Sequence, residues 1–173
     1  MEGDLFSKPP QYTIDSSSLM DIFSDEKMVS KSITPGLWTN IQELIGQGII
    51  ISHIEVLREI KKEGQRGEEL YDWAQAYEEI FKDYNWEAEG RIIRAMSPKY
   101  GAFVNAKVNH VHADPWLVAQ AKHRGLTLVT EEKMSGSPDV RKHKLPNICA
   151  DLGFAVPCID LLGLTKDRGW TFR

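Results

Sequence analysis

Cysteine is scarce: Cys149 and Cys158 are the two in a chain of 173 residues. Two thiols at this spacing make neither a disulfide framework nor a zinc ligand pattern, so they read as buried thiols in a reducing compartment. No apolar stretch approaches the ~20 residues that cross a bilayer. The opening segment M-E-G-D-L-F-S-K-P-P holds no basic run followed by an apolar one. Neither a membrane span nor a signal peptide is therefore expected, and a cytoplasmic location follows. Positive charge is in deficit, with 21 Lys and Arg against 25 Asp and Glu, for a net charge of -4. That balance argues against a protein that coats nucleic acid, but not against an enzyme that meets it over a local patch. The chain also lacks a Walker A loop, an H-E-x-x-H pair, a G-x-S-x-G elbow, internal repeats and low-complexity tracts. The corresponding nucleotide-binding, zinc-protease and serine-hydrolase readings lose their support.

What is present is an ordinary globular composition, 42% hydrophobic and 27% charged. Residues 1–10 read as a loose lead-in ending at Pro9-Pro10, and 11–173 as one domain. Tyr12-Thr13-Ile14, Ile49-Ile50-Ile51, Leu126–Thr130 and Ala155–Ile159 are β-prone runs. Helical periodicity predicts a short helix around Leu19–Phe23, one opening at Pro35 and ending at Gly46 and Gly48, and others over 54–63, 68–86 and 87–97. The 68–86 stripe of Leu70, Trp73, Tyr77, Ile80, Phe81 and Tyr84 reads as core packing rather than a base-stacking platform. Asp114-Pro115 opens a compact helix with Asp114 as N-cap and Gly125 just past its end. Phe103–Val111 is undecided between strand and connector, 133–147 reads as a polar loop, and a short helix and tail follow the last strand. Alternating strands and helices predict an α/β fold with a mainly parallel sheet.

Four acids stand where strands hand over to helices or loops: Asp15, Glu59, Asp114 and Glu132. Each alone has an ordinary explanation as a turn, cap or surface residue. Together, on neighbouring parallel strands, they would meet at the carboxyl edge of the sheet, where open α/β folds bind ligands. Two like charges ~4 Å apart repel by about 4 kcal/mol at an effective dielectric near 20. A hard divalent cation, which prefers oxygen ligands, would remove that repulsion. It would also activate a water and stabilise the leaving oxygen of a phosphodiester. Ser17 and Thr130 flank the acids, either to orient a carboxylate or phosphate oxygen or simply to bond within their turns.

The segments I-D-S-S-S, V-L-R-E-I, A-D-P-W-L-V-A-Q-A and L-V-T-E-E occur in this order between Tyr12 and Phe172. In that arrangement the chain resembles the PIN-domain ribonucleases. The resemblance implies a PIN-like three-layer α/β/α fold. It also implies endonucleolytic cleavage of RNA with Mg²⁺ or Mn²⁺ as cofactor. On that pattern Asp15 and Asp114 would ligate the ion directly, and Glu59 and Glu132 would complete the site directly or through water. Glu132 stands where the family more often has aspartate, and Glu55, one turn before Glu59, is an alternative to it. Small bacterial members imply a toxin of a toxin–antitoxin pair, with a cognate antitoxin partner and a homodimer. The alternative is a catalytically inactive PIN-like module that binds RNA or a protein partner.

Arg141, Lys142 and Lys144, with His143 among them and Lys133 nearby, form a basic loop after the Glu132 turn. The loop reads either as a phosphate-holding flank of the site or as a solvated charged loop. Carboxylate and metal chemistry does not by itself select RNA over DNA. His110-Val-His112-Ala-Asp114 begins like a β-lactamase zinc motif, but Pro115 stands where that motif continues with histidine. A pH-sensitive role for these histidines beside the acids stays open.

Overall fold

Every residue of Tyr12–Ile14 and of Ile50–His53 is buried. Unbroken burial is what a parallel strand covered on both faces requires, and these runs are mostly β-branched or aromatic. These two segments, β1 and β2, join β3 (Phe81–Lys82), β4 (Thr127–Val129) and β5 (Cys158–Ile159) in a sheet ordered β3-β2-β1-β4-β5. Each pairing is parallel: Tyr12 lies opposite Ile50 and Thr127, Ser52 opposite Phe81, and Leu128 opposite Cys158. Helices flank the sheet: α1 (Ser16–Phe23), α2 (Pro35–Gly46), α3 (Ile54–Glu63), α4 (Glu68–Ala76), α5 (Ala88–Val104), α6 (Asp114–Arg124), α7 (Leu145–Ala150) and α8 (Leu161–Asp167). The fold is thus a three-layer α/β/α arrangement about a parallel sheet. This computed structural model describes residues 9–63, 68–105 and 112–171. Most of the undecided stretch before His112, with His110 in it, and most of the N-terminal lead-in lie outside the described residues.

The sheet's centre carries the core, with Ile14, Ile50, Leu117 and Leu128 fully buried. α6 lies across β1, β2 and β4, and α5 packs along α6, while α1 packs on α3 and α4. A buried polar clasp registers α6 against the two central strands. Thr13 Oγ1 donates to Gln120 Oε1 at 2.6 Å, the Gln120 amide donates to the Ser52 carbonyl at 3.2 Å, and Ser52 Oγ donates to the Ile14 carbonyl at 2.6 Å. Buried polar groups must be paired, so the clasp permits few positions of α6. It thereby sets where the first turn of α6 falls.

Several expected elements differ. The single helix over 68–86 is cut at Ala76: Tyr77 takes φ -117° and ψ 34°, Glu78–Ile80 forms a 3-10 turn, and Phe81–Lys82 pairs with Ser52 and His53. Edge pairing and burial of Ile80 and Phe81 outweigh the helical pattern. α5 instead runs beyond residue 97, through Pro98, with a kink at Tyr100 that keeps Met96, Tyr100 and Phe103 buried. The loop over 133–147 contains a 3-10 turn at Val140–Lys142 and the start of α7. The last strand is shorter than Ala155–Ile159 because Ala155 stands at φ 49°, a left-handed turn residue. Asp114 is not the N-cap of α6. Ala113 precedes the helix with near-helical dihedrals, and Asp114 sits inside the first turn with no capping bond made for it.

Candidate functional site

The chain runs outward from β1 to β2 and β3, then returns to the other side of β1 for β4 and β5. The connections after β1 and β4 therefore diverge to open a crevice at their carboxyl ends, the switch point where open α/β folds bind ligands. Asp15 directly follows β1 and Thr130 directly follows β4. The Asp15 amide itself donates to the Val129 carbonyl at 2.9 Å, so the sheet ladder carries Asp15 into the crevice.

Asp15 is 3% exposed. Its Oδ1 accepts the Ser16 amide at 2.7 Å, and its Oδ2 accepts Ser17 Oγ at 2.6 Å and Thr130 Oγ1 at 2.8 Å. Ser17 Oγ and Thr130 Oγ1 in turn accept the amides of Glu131 and Glu132, at 3.1 and 3.2 Å. The two hydroxyls thus fasten the turn after β4 onto the carboxylate after β1. Ser16 Oγ has one proton and two acceptors in reach: Glu59 Oε2 at 2.8 Å and Asp15 Oδ1 at 3.3 Å. The shorter contact takes the proton, which leaves one Asp15 Oδ1 lone pair without a donor among the described residues.

Glu59 reaches across the crevice. Its Oε1 accepts the Ala113 amide at 2.8 Å, beside Asp114. Glu55 is engaged elsewhere: its Oε1 takes Arg58 at 2.5 Å and the Tyr84 hydroxyl. Of the two glutamates, Glu59 therefore stands among the other acids. Glu132 directs Oε2 to the Leu145 amide at 3.2 Å, so it also holds the start of α7.

Asp114 differs from its neighbours. Its side chain is 20% exposed and accepts no hydrogen bond from any described residue; His112 Nδ1 lies 4.0 Å from its Oδ2. Burial, then the charges of Asp15, Glu132 and Glu59, push its carboxyl up to about 8, against the opposing pull of Lys144. His112 Nε2 contacts the Phe103 carbonyl at 2.8 Å, an arrangement that makes Nε2 the donor and leaves the Nδ1 lone pair facing Asp114. Burial holds the His112 imidazole below its ordinary range.

The basic loop is divided. Lys144 stands close enough to act on Asp114. The exposed Arg141 guanidinium is clamped by both oxygens of Asp139, at 3.0 and 2.9 Å. Lys142 is exposed, and Lys133 pairs with Asp160 at 3.2 Å. A pocket of about 190 Å³ opens beside the crevice, lined in part by Thr130, Glu132, Lys133 and Asp160.

The donor set matches a hard divalent cation in charge and in atom type. Asp15 retains an Oδ1 lone pair, and Asp114 is a carboxylate without a donor from the described residues, set among three others. The ligands are not already gathered: among the described residues, no group of three or more His, Cys, Asp or Glu is placed to hold a metal ion. Two participants escaped the sequence reading. Ser16 ties Asp15 to Glu59, and the Ala113 amide ties Glu59 to α6. The serine run gave a signal for the first; a backbone amide carries none.

Fold and crevice define an open parallel α/β protein that collects carboxylates at its topological switch point. The chain belongs to the family described as Domain of unknown function (DUF4411), whose model matches residues 12–172. No curated protein and no solved structure matches it.

Proposed function

We propose that this chain is a metal-dependent endoribonuclease that hydrolyses phosphodiester bonds in the crevice between β1 and β4. One observation carries the reading: Asp114 is placed, without a capping role or a described donor, in the joint field of Asp15, Glu59 and Glu132. The helix dipole favours an acid in the first turn of α6, but it does not call for three further carboxylates around that acid, and their crowding destabilises the metal-free fold when Asp114 is ionised. Mg²⁺ or Mn²⁺ would be held by Asp15 and Asp114, with Glu59 and Glu132 completing the set. When bound, such an ion supplies charge neutralisation, orientation of phosphate oxygens and activation of a water. The chain's own groups do the positioning. Ser17 and Thr130 fix the Asp15 carboxylate, Glu59 braces α1 against α6, and Lys144 offers a cation to a phosphate oxygen.

Incubation of the purified protein with a mixed RNA pool and Mn²⁺ tests this. Cleavage is expected from the wild type and is expected to be lost in Asp114→Asn and in EDTA. Equal cutting by Asp114→Asn would place the chemistry elsewhere.

A second reading is favoured by the unassembled ligand set and by the use of Glu132 to hold α7. On it the chain is a catalytically inactive module that binds RNA or a protein partner. A folded wild type that binds RNA but never cuts it would favour that reading.

The toxin role, the antitoxin partner, the homodimer and a cytoplasmic location rest on the PIN-domain resemblance and on composition. Growth arrest on induced expression, abolished by Asp114→Asn, would support the toxin role. No helix among the described residues is long and apolar enough to cross a membrane.

A further inference from the structure

Of the exposed large hydrophobic side chains among the described residues, Trp86 is the one aromatic, at 66% exposure. It is not a stray surface residue. Its ring stacks on Tyr84 at 4.2 Å between centroids and 20° between planes, and the edge of Trp116 meets it at 5.4 Å and 87°. Tyr84 is itself braced edge-on by His53 at 5.1 Å and Trp116 at 4.7 Å, and Trp116 stacks on the buried His53 at 5.5 Å. The Tyr84 hydroxyl is bonded to both Glu55 and Arg58. Tyr84 covers one face of Trp86, and about two thirds of the residue is open to solvent all the same. The result is a pre-ordered indole face presented to solvent, where burial would have been worth more to the fold.

We infer that Trp86, backed by Tyr84 and flanked by Arg58, is a stacking subsite for an unpaired base of single-stranded RNA entering the acidic crevice. The inference deepens the proposed function and rests on its assignment of an RNA substrate. Three observations favour a nucleic-acid base over other occupants. A flat, rigid π face with one open side fits a base of any sequence. The Arg58 guanidinium, half exposed and paired with Glu55 at 2.5 Å, lies 5.3 Å from the Tyr84 ring centre, where its remaining N–H groups would face a passing phosphate. The platform also shares both of its helices with the acids. Glu55, which anchors Tyr84, is one turn or ~6 Å along α3 from Glu59, on the same face. Trp116 is two residues beyond Asp114 in the first turn of α6. The platform is thereby tied, through the Tyr84–Glu55 bond, to the helix that carries Glu59. The nearby Glu87 carboxylate is drawn off by Arg91 at 3.0 Å.

The test is binding of labelled 12-mer oligo(A) and oligo(U) RNA to the full chain in EDTA, read by anisotropy and by tryptophan emission. Wild type is expected to bind with quenching. Trp86→Ala is expected to weaken affinity roughly tenfold, Trp86→Phe to retain most of it, and Leu152→Ala, an exposed residue in the turn after α7, to change nothing. Circular dichroism checks that each variant is folded. Affinity unchanged in Trp86→Ala, equal loss in Trp86→Phe and Trp86→Ala, duplex RNA binding as tightly as single strands, or no binding of either oligomer would each overturn the subsite. So would a Trp86→Ala variant that turns a dimer into a monomer, since the face would then belong to a second copy. Binding that depends on Trp86 without any cleavage in Mn²⁺ would uphold the subsite and remove the nuclease. Cleavage by Trp86→Ala with an unchanged KM would do the reverse.

Discussion

At the scale of single residues, Asp114 makes a claim that needs no substrate. Its carboxyl is pushed up to about 8 by burial first and by Asp15, Glu132 and Glu59 after it. In the unfolded chain an aspartate titrates near ~3.9. Between those values the folded state holds a proton that the unfolded state releases. The contribution to stability is therefore complete below about pH 4 and is lost as pH rises towards about 8. Asparagine has the same shape and no charge to acquire. In EDTA, Asp114→Asn should melt with the wild type near pH ~4 and several degrees above it near pH ~9. A variant that melts at or below the wild type at the higher pH would mean that the carboxylates do not crowd Asp114. His112 faces the same carboxyl, so NMR titration of its ring should move with the Asp114→Asn change.

At the scale of elements, α5 and α7 are joined by a polar latch. Asp151, following α7, accepts Lys99 Nζ and the Tyr100 hydroxyl, each at 2.5 Å, and the Gly153 amide at 2.8 Å. Lys99 first, then Tyr100 and Gly153, hold its carboxyl at about 2. Here the folded value is depressed, so stability is present above about pH 4 and lost as pH falls through about 2. Lys99 is largely exposed and solvent screens the pair, so the latch contributes little beyond its geometry. Asp151→Asn should lower the melting temperature only slightly at neutral pH, and the difference should close near pH ~2. A difference that stays constant with pH would mean that the contact acts by shape alone. The latch shows why α5 continues over Pro98, where residue patterning predicts an end at 97. Its kink at Tyr100 delivers the hydroxyl to Asp151 and the ring to the core, a gain invisible along the chain.

For the whole molecule, the crevice exists because the strand order reverses beside β1, and metal binding should report on the entire fold. Any ion that binds the folded chain alone stabilises it by mass action, by about 2.7 kcal/mol at a hundredfold excess over Kd. For a chain of this length, Mn²⁺ at that excess should raise the melting temperature by roughly 5–10 °C. Asp15→Asn and Asp114→Asn should each abolish the rise. An equal rise in both variants would mean that the ion binds elsewhere.

The chain's own pattern determined the layer architecture. Runs such as Ile49-Ile50-Ile51 bury on both faces only in a parallel sheet, and helical spacing such as Leu37, Ile41, Leu44 and Ile45 turns one face to the core. It also marked Asp15, Glu59, Asp114 and Glu132 as acids at the ends of elements. Tertiary structure alone decided the rest. Capping would have explained Asp114, yet the clasp of Thr13, Gln120 and Ser52 seats α6 so that Ala113 precedes the helix and the carboxylate turns into the crevice. The aromatic stripe of residues 70–84 read as one helix, yet pairing with β2 broke it, buried Phe81 in the sheet and released Tyr84 and Trp86 to the surface. Local propensity is a matter of tenths of a kcal/mol per residue. Burial of an aromatic ring or satisfaction of a buried polar group is worth several times more, and only the folded chain reveals which residues meet.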